Sequence, residues 1–305
     1  MRFRRLALTL LLSTIAFASQ AFAQSRAECG SMPSQILNRP VRYCALLPPS
    51  FDSSAPKPGK EENVKRFPVL YYLHGRGDNE QSLVNTGAWT LIEELRRQGK
   101  IGEFVIVTPQ GGSDFYVNSA NGKIRYSDFF LQEFMPFIEH KYRIEQSRNA
   151  RGIDGMSMGG YGALRFAFAR PDLFGSVSAH SAALLVGQPK ALDAAIRAGE
   201  PQALMLAGVF GNPIDTAHWE ENSPFALVKE KPTAIRRLHI YFDCGDRDDF
   251  GFDRGATALD ELLTKQKITH EFHLYPGGHD IAYFLDHIGA SIEFHSRNFA
   301  AASTR

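Results

Sequence analysis

Short apolar runs alternate with helix-patterned stretches along nearly the whole chain, and that alternation limits the fold more than any other feature. Residues 41–47, 68–73, 104–108, 151–156, 175–180, 238–242 and 271–275 read as strands. Residues 90–98, 128–142, 158–170 and about 281–298 read as helices between and after them. Within 128–142, Phe130, Leu131, Phe134, Ile138 and Tyr142 share one stripe, which predicts a core-facing aromatic face. Strands apolar on both faces and separated by helices predict an α/β fold, a mainly parallel central sheet with helices on both sides. In such a sheet, ligands bind beyond the carboxyl ends of the strands. The alternation fails between about 183 and 236, where a helical stretch carries Trp219 and Asn222-Ser223-Pro224. No long linker sets it apart, so it reads as a helical insertion over the site within a single domain, 24–305.

The chain opens with Arg2, Arg4 and Arg5, continues with an apolar run from Leu6 to Ala18, and reaches the small-residue pattern Ala21-Phe22-Ala23. This predicts a secretory signal peptide, residues 1–23, cut after Ala23. The run is shorter than the roughly 20 residues a bilayer-spanning helix needs. The expected address is therefore the periplasm or the outside, with no stable membrane anchor after cleavage. Removing residues 1–23 from the 305 leaves 282, enough for one large domain with a buried core.

The same cut takes Lys+Arg from 34 to 31 against 33 Asp+Glu, a balance that gives no electrostatic footprint for nucleic acid. Lys57, Lys60, Lys65 and Arg66 gather locally, but Glu61 and Glu62 sit among them, as in a solvated loop. Of the three cysteines, Cys29 and Cys44 are a candidate bridge in an oxidising compartment, with Cys244 a small buried apolar residue. No CxxC motif or Cys/His cluster points to zinc. His270 and His273, three apart on an expected strand, should face opposite ways and cannot share one ion.

The chemistry gathers at Asp154 to Ala169, DGMSMGGYGALRFAFA, where Ser157 stands among Gly155, Gly159, Gly160 and Gly162. Each helical glycine costs about 0.8–1.0 kcal/mol relative to alanine, so the cluster needs a geometric reason. Gly155-Met156-Ser157-Met158-Gly159 fits G-x-S-x-G between an expected strand and an expected helix stopped by Pro171. At such a corner a serine is forced into a strained backbone conformation that lifts its hydroxyl clear of both elements. Gly155 and Gly159 give room to the neighbouring backbone, and Gly160 and Gly162 let the helix start close against the sheet.

A serine hydroxyl is a weak nucleophile at neutral pH, so it needs a base, and the base needs an orienting acid. His279 follows Pro276-Gly277-Gly278 at the end of an expected strand, which suits an imidazole projected over a site. His180 also ends a strand and reads as structural. Asp243, Asp246, Asp248 and Asp249 crowd the loop after 238–242, and residue chemistry alone leaves all four open as the acid.

In order along the chain, Tyr72-Leu73-His74-Gly75, Lys141-Tyr142-Arg143, GMSMGGYGAL, Arg170-Pro171-Asp172-Leu173-Phe174-Gly175, Cys244-Gly245-x-x-Asp248 and Pro276-Gly277-Gly278-His279-Asp280 resemble the esterase D-like branch of the α/β-hydrolases. That branch includes feruloyl and other carbohydrate esterases, S-formylglutathione hydrolases, siderophore esterases and mycolyltransferases of the antigen 85 type. The resemblance places the acid on Asp248. It implies an oxyanion hole from the backbone N–H groups of Met158 and Arg76, and a small-molecule or carbohydrate ester as substrate. Arg76-Gly77-Asp78 also spells a cell-adhesion tripeptide, read here as coincidence. Members often carry a tryptophan where this chain has Phe115, so no acyl or sugar specificity follows from that position.

The resulting expectation is an exported serine esterase working through an acyl-enzyme with Ser157, His279 and Asp248, and no metal or organic cofactor. An acyltransferase would use the same residues with an alcohol as acceptor. A non-catalytic binding protein on a hydrolase scaffold would have no chemical reason to keep all three side chains.

Overall fold

The computed structural model describes residues 25–55, 64–185 and 189–303; the expected signal peptide and, of the local charge cluster, Lys57, Lys60, Glu61 and Glu62 lie outside them. Eight strands form one sheet: β1 Arg26–Ser34, β2 Arg39–Leu47, β3 Val69–Leu73, β4 Val105–Pro109, β5 Arg151–Gly155, β6 Ser176–His180, β7 His239–Gly245 and β8 Glu271–Tyr275. Their order is β1-β2-β4-β3-β5-β6-β7-β8. From β4 to β8 every neighbouring pair is parallel, while β2 runs antiparallel to both β1 and β4. The central strands β3 and β4 are buried at every residue, as expected of strands covered on both faces.

Helices α1 Ala88–Arg97, α2 Tyr126–Phe129, α3 Met135–Lys141, α4 Met158–Ala169, α5 Pro189–Arg197, α6 Pro201–Phe210, α7 Thr216–Asn222, α8 Pro224–Glu230, α9 Phe252–Lys265 and α10 Ile281–Ser303 supply the outer layers and the insertion. Two core clusters result, one on each side of the sheet. The larger joins Tyr71, Phe130, Phe134 and Phe166; the smaller joins Tyr72, Ile92, Phe104 and Ile288. The insertion between β6 and β7 is helical, and its Phe210 packs edge-on against Trp219 with ring centroids 4.8 Å apart.

Three differences from the sequence reading have physical causes. The N-terminal arm is a full strand, β1, closed onto β2 in a nine-residue antiparallel register that sets Cys29 opposite Cys44. Those two cysteines are disulfide-bonded. The helix expected over 128–142 is continuous only by way of a π turn, Phe130–Phe134, between α2 and α3. Pro136 accounts for it, because a proline there removes one helical N–H and its ring clashes with the carbonyl of the preceding turn. Third, β7 runs on through Gly245, so Asp243 lies inside the strand and not in the loop after it.

Candidate active site

The corner at Ser157 is set by steric limits that only glycine meets. Ser157 has φ 57° and ψ −117°, outside the regions open to ordinary residues. A β-carbon on Gly159 would stand 1.9 Å from the carbonyl oxygen of Leu73, and one on Gly155 would stand 2.4 Å from the Gly159 backbone. These two glycines therefore press the start of α4 against β3. Gly160 and Gly162 also bring the helix close to the sheet, since added β-carbons would lie 3.1 Å from the Gly155 carbonyl oxygen and 3.1 Å from the Leu73 side chain; they further admit Ala182, after β6, and the Tyr116 ring, after β4, at 3.0 and 2.8 Å. The Ser157 N–H donates to the His180 carbonyl at 2.8 Å, and its own carbonyl accepts from Tyr161 and Ala183. A serine preceding a helix ordinarily caps it with its hydroxyl. Here the hydroxyl makes no cap and turns towards His279.

The structure brings Ser157, His279 and Asp248 together. Ser157 Oγ is 3.0 Å from His279 Nε2, and His279 Nδ1 is 2.7 Å from Asp248 Oδ2. The other carboxylate oxygen of Asp248 accepts the backbone N–H groups of Phe250 at 2.9 Å and Phe252 at 3.3 Å. Burial disfavours the charged form of Asp248; the His279 hydrogen bond and charge and the two amides outweigh it and hold the carboxyl below its ordinary range. The buried Cys244 thiol, pushed up to about 12 by burial, lies 3.7 Å from Oδ2. Phe250 and Phe252 stand edge-on to the imidazole, with centroids 4.8 and 5.4 Å away.

The other three aspartates find different work. Asp246 accepts the Gly277 N–H and stitches the β7 and β8 loops together, Asp249 is exposed, and Asp243 is buried against His180. On the β8 side, Asp280 caps α10 by accepting the Tyr283 N–H at 2.8 Å.

Ser157 and His279 open into a cleft of about 500 Å³ whose wall includes Arg76, Gly77, Met158, Phe115, Leu206 and Phe250. Both residues expected to supply oxyanion donors thus line the same cleft as the serine. Met158 is the first residue of α4, where main-chain N–H groups have no partner within the helix. Arg76 lies in a loop held by His74, a residue whose role no local sequence pattern signals. The Gly111 N–H donates to His74 Nε2 at 2.8 Å, which fixes the ring as neutral with its proton on Nδ1, facing the Gly75 carbonyl at 2.7 Å. Burial also lowers the His74 pKa. Tyr116 donates its hydroxyl to the His74 carbonyl at 2.8 Å. Phe115 and Tyr116 adopt φ of 54° and 61°, so the loop after β4 is bent to place Phe115 in the wall.

Residues 34–292 match the family described as "Putative esterase". The chain belongs to this esterase family. An acetyl esterase of Caldicellulosiruptor saccharolyticus is 27% identical over 266 residues, 87% of this chain and 96% of its own. An esterase of Mycobacterium tuberculosis (strain ATCC 25618 / H37Rv) is 29% identical over 232 residues, 70% of this chain and 49% of its own, so the match spans about half of that longer relative. Among solved structures, a ferulic acid esterase superposes with a TM-score of 0.74 at 28% identity, covering 90% of this chain and 99% of its own. The chain is thus a carboxylic ester hydrolase on an α/β-hydrolase fold.

This esterase holds a second serine–histidine–aspartate chain, sealed beneath the first. His180 Nδ1 is 2.8 Å from Asp243 Oδ2, and His180 Nε2 is 2.8 Å from Ser291 Oγ. His180 and Ser291 are 0% exposed and Asp243 is 1% exposed, which bars any substrate. His180 therefore lies out of a substrate's reach.

Proposed function

We propose that the protein is an exported serine esterase that cleaves carboxylic esters through a covalent acyl-enzyme. The observation that carries this is the unbroken hydrogen-bond path from Ser157 through His279 to Asp248 at the mouth of the cleft. His279 takes the proton of Ser157 as Oγ attacks the ester carbonyl. Asp248 keeps Nδ1 protonated and stabilises the imidazolium that forms. The N–H groups of Met158 and Arg76 receive the developing oxyanion; losing one such donor costs about 2.7–4 kcal/mol of transition-state stabilisation. His279 then returns the proton to the leaving alcohol, and water repeats the sequence in reverse. Phe115, Leu185, Leu206, Phe250 and Phe252 in the cleft wall favour an apolar or aromatic group on the ester. The names of the acetyl and ferulic acid esterases above agree with that range.

Export is supported by the pattern of residues 1–23 and by the Cys29–Cys44 bridge, which suits an oxidising compartment. The test is turnover of an ester panel by the mature chain and its Ser157→Ala variant, with and without sugar alcohols. Hydrolysis lost in a folded Ser157→Ala supports the reading; retained turnover removes it. Acyl transfer to the added alcohol would instead favour an acyltransferase.

A further inference from the structure

Asp154, His180, Asp243, Tyr283 and Ser291 form one continuous network under the elbow. The Tyr283 hydroxyl donates to Asp243 Oδ1 at 2.8 Å, and Ser291 donates to Asp154 Oδ2 at 2.9 Å. Asp154 Oδ1 accepts the Gly155 N–H at 2.7 Å. With both ring nitrogens of His180 engaged, the path runs from Asp243 through the imidazole and the Ser291 hydroxyl to Asp154. Three members sit close in sequence to one of the three site residues. Asp154 precedes Ser157 by three positions, Asp243 precedes Asp248 by five, and Tyr283 follows His279 by four. His180 completes the link, because its carbonyl accepts the Ser157 N–H at 2.8 Å and its backbone pairs with Met156.

A charged cluster is a poor way to stabilise a core. Burying an ion costs several kcal/mol, and apolar residues of similar volume often serve stability as well or better. What ionic hydrogen bonds add is fixed direction. His295, on α10 with Tyr283 and Ser291, shows the contrast: hydrogen-bonded to Ser176 and Ser178 and facing no carboxylate among the described residues, it is pushed down to about 3 by burial and stays neutral. Burial also works against a charge on His180, yet the charges of Asp243 and Asp154 outweigh it and push it up to about 9.

We propose that this network is a positioning device for the reaction, with His180 a positioning residue that holds the Ser157 backbone while Asp243 and Tyr283 lock the flanks of Asp248 and His279. The proposal rests on Ser157, His279 and Asp248 being the catalytic triad. The experiment compares Ser291→Ala, which cuts the link from His180 to Asp154, and Tyr283→Phe, which removes one hydroxyl and keeps the ring. Both are measured for folding by circular dichroism, for kcat and KM on a short aryl ester, and for the rate of Ser157 labelling by a fluorophosphonate. The expected result is folded protein with kcat and labelling rate reduced together by about tenfold and KM within twofold. A folded variant with a lowered Tm but unchanged kcat and labelling rate overturns the proposal, because a network that only supports stability would behave so. If Ser291→Ala does not fold, Tyr283→Phe decides by the same criteria. Ser157→Ala serves as the control: turnover retained there defeats the triad itself, whereas an inactive Ser157→Ala beside an unaffected Tyr283→Phe defeats the positioning role alone.

Discussion

Replacing Asp248 with asparagine tests the site most sharply, because the structure dictates which way the new amide must face. Asp248 Oδ1 accepts two main-chain N–H groups, from Phe250 and Phe252, while Oδ2 faces His279 Nδ1. An asparagine oxygen must stay on the Oδ1 side, since an NH2 group there would confront two donors and forfeit two hydrogen bonds. Each lost bond costs about 0.5–1.5 kcal/mol, with a further desolvation penalty for any donor left buried. The amide NH2 therefore points at His279 Nδ1 and makes that nitrogen an acceptor. The proton moves to Nε2, which can then no longer take the proton of Ser157 3.0 Å away. Loss of the correct tautomer in a triad lowers kcat by about 10⁴, equivalent to about 5.5 kcal/mol. The assay is kcat on a short aryl ester, with the Tm confirming that the variant is folded. A folded Asp248→Asn within tenfold of the unsubstituted kcat would refute the tautomer argument and remove Asp248 from the acid role.

Gly159→Ala should destabilise the fold by about 3 kcal/mol or more, since its β-carbon would fall 1.9 Å from the Leu73 carbonyl oxygen and neither backbone can yield; urea unfolding checks this. His180 has a raised folded-state pKa, so its contribution is complete below the unfolded value near 6.5 and is lost as pH rises through about 9. Unfolding free energy should accordingly fall by roughly 3 kcal/mol from neutral pH to above 9, and a flat profile there would contradict an imidazolium at this position. Cys29→Ser removes a cross-link of sequence separation 15, worth about 3 kcal/mol by loop entropy. Because β1 lies at the sheet edge opposite β8, Tm should fall by several degrees while kcat stays within twofold; an equal loss of activity would mean that the hairpin reaches the site.

The parts of the molecule that could be read from the chain are those whose cause lies within about ten residues. The parallel strands announce themselves by continuous apolar runs, and the corner at Ser157 by glycines at fixed offsets, two of which meet Leu73 and each other as a tight turn requires. β1 escaped because its pattern, RAECGSMPS, carries Gly30 and Pro33 and buries only Met32 and Ser34; a disulfide and pairing with β2 make it a strand, not propensity. The choice among the four aspartates was closed to residue chemistry for a related reason. Asp243 and Asp248 carry the same group five positions apart, and each ends 2.8 Å or less from a histidine. Both carboxylates are buried, and what separates them is the histidine each holds: the His180 side chain is 0% exposed, whereas that of His279 is 14% exposed and lines the cleft. His180 and Asp243 are 63 positions apart in sequence and Ser157 and His279 are 122 apart, so no local pattern encodes either meeting. Only family resemblance could single out Asp248 in advance. The buried copy of the same three residue types shows why: a serine, a histidine and an aspartate in hydrogen-bonded order have the connectivity of a triad anywhere, and solvent access decides which one can do chemistry.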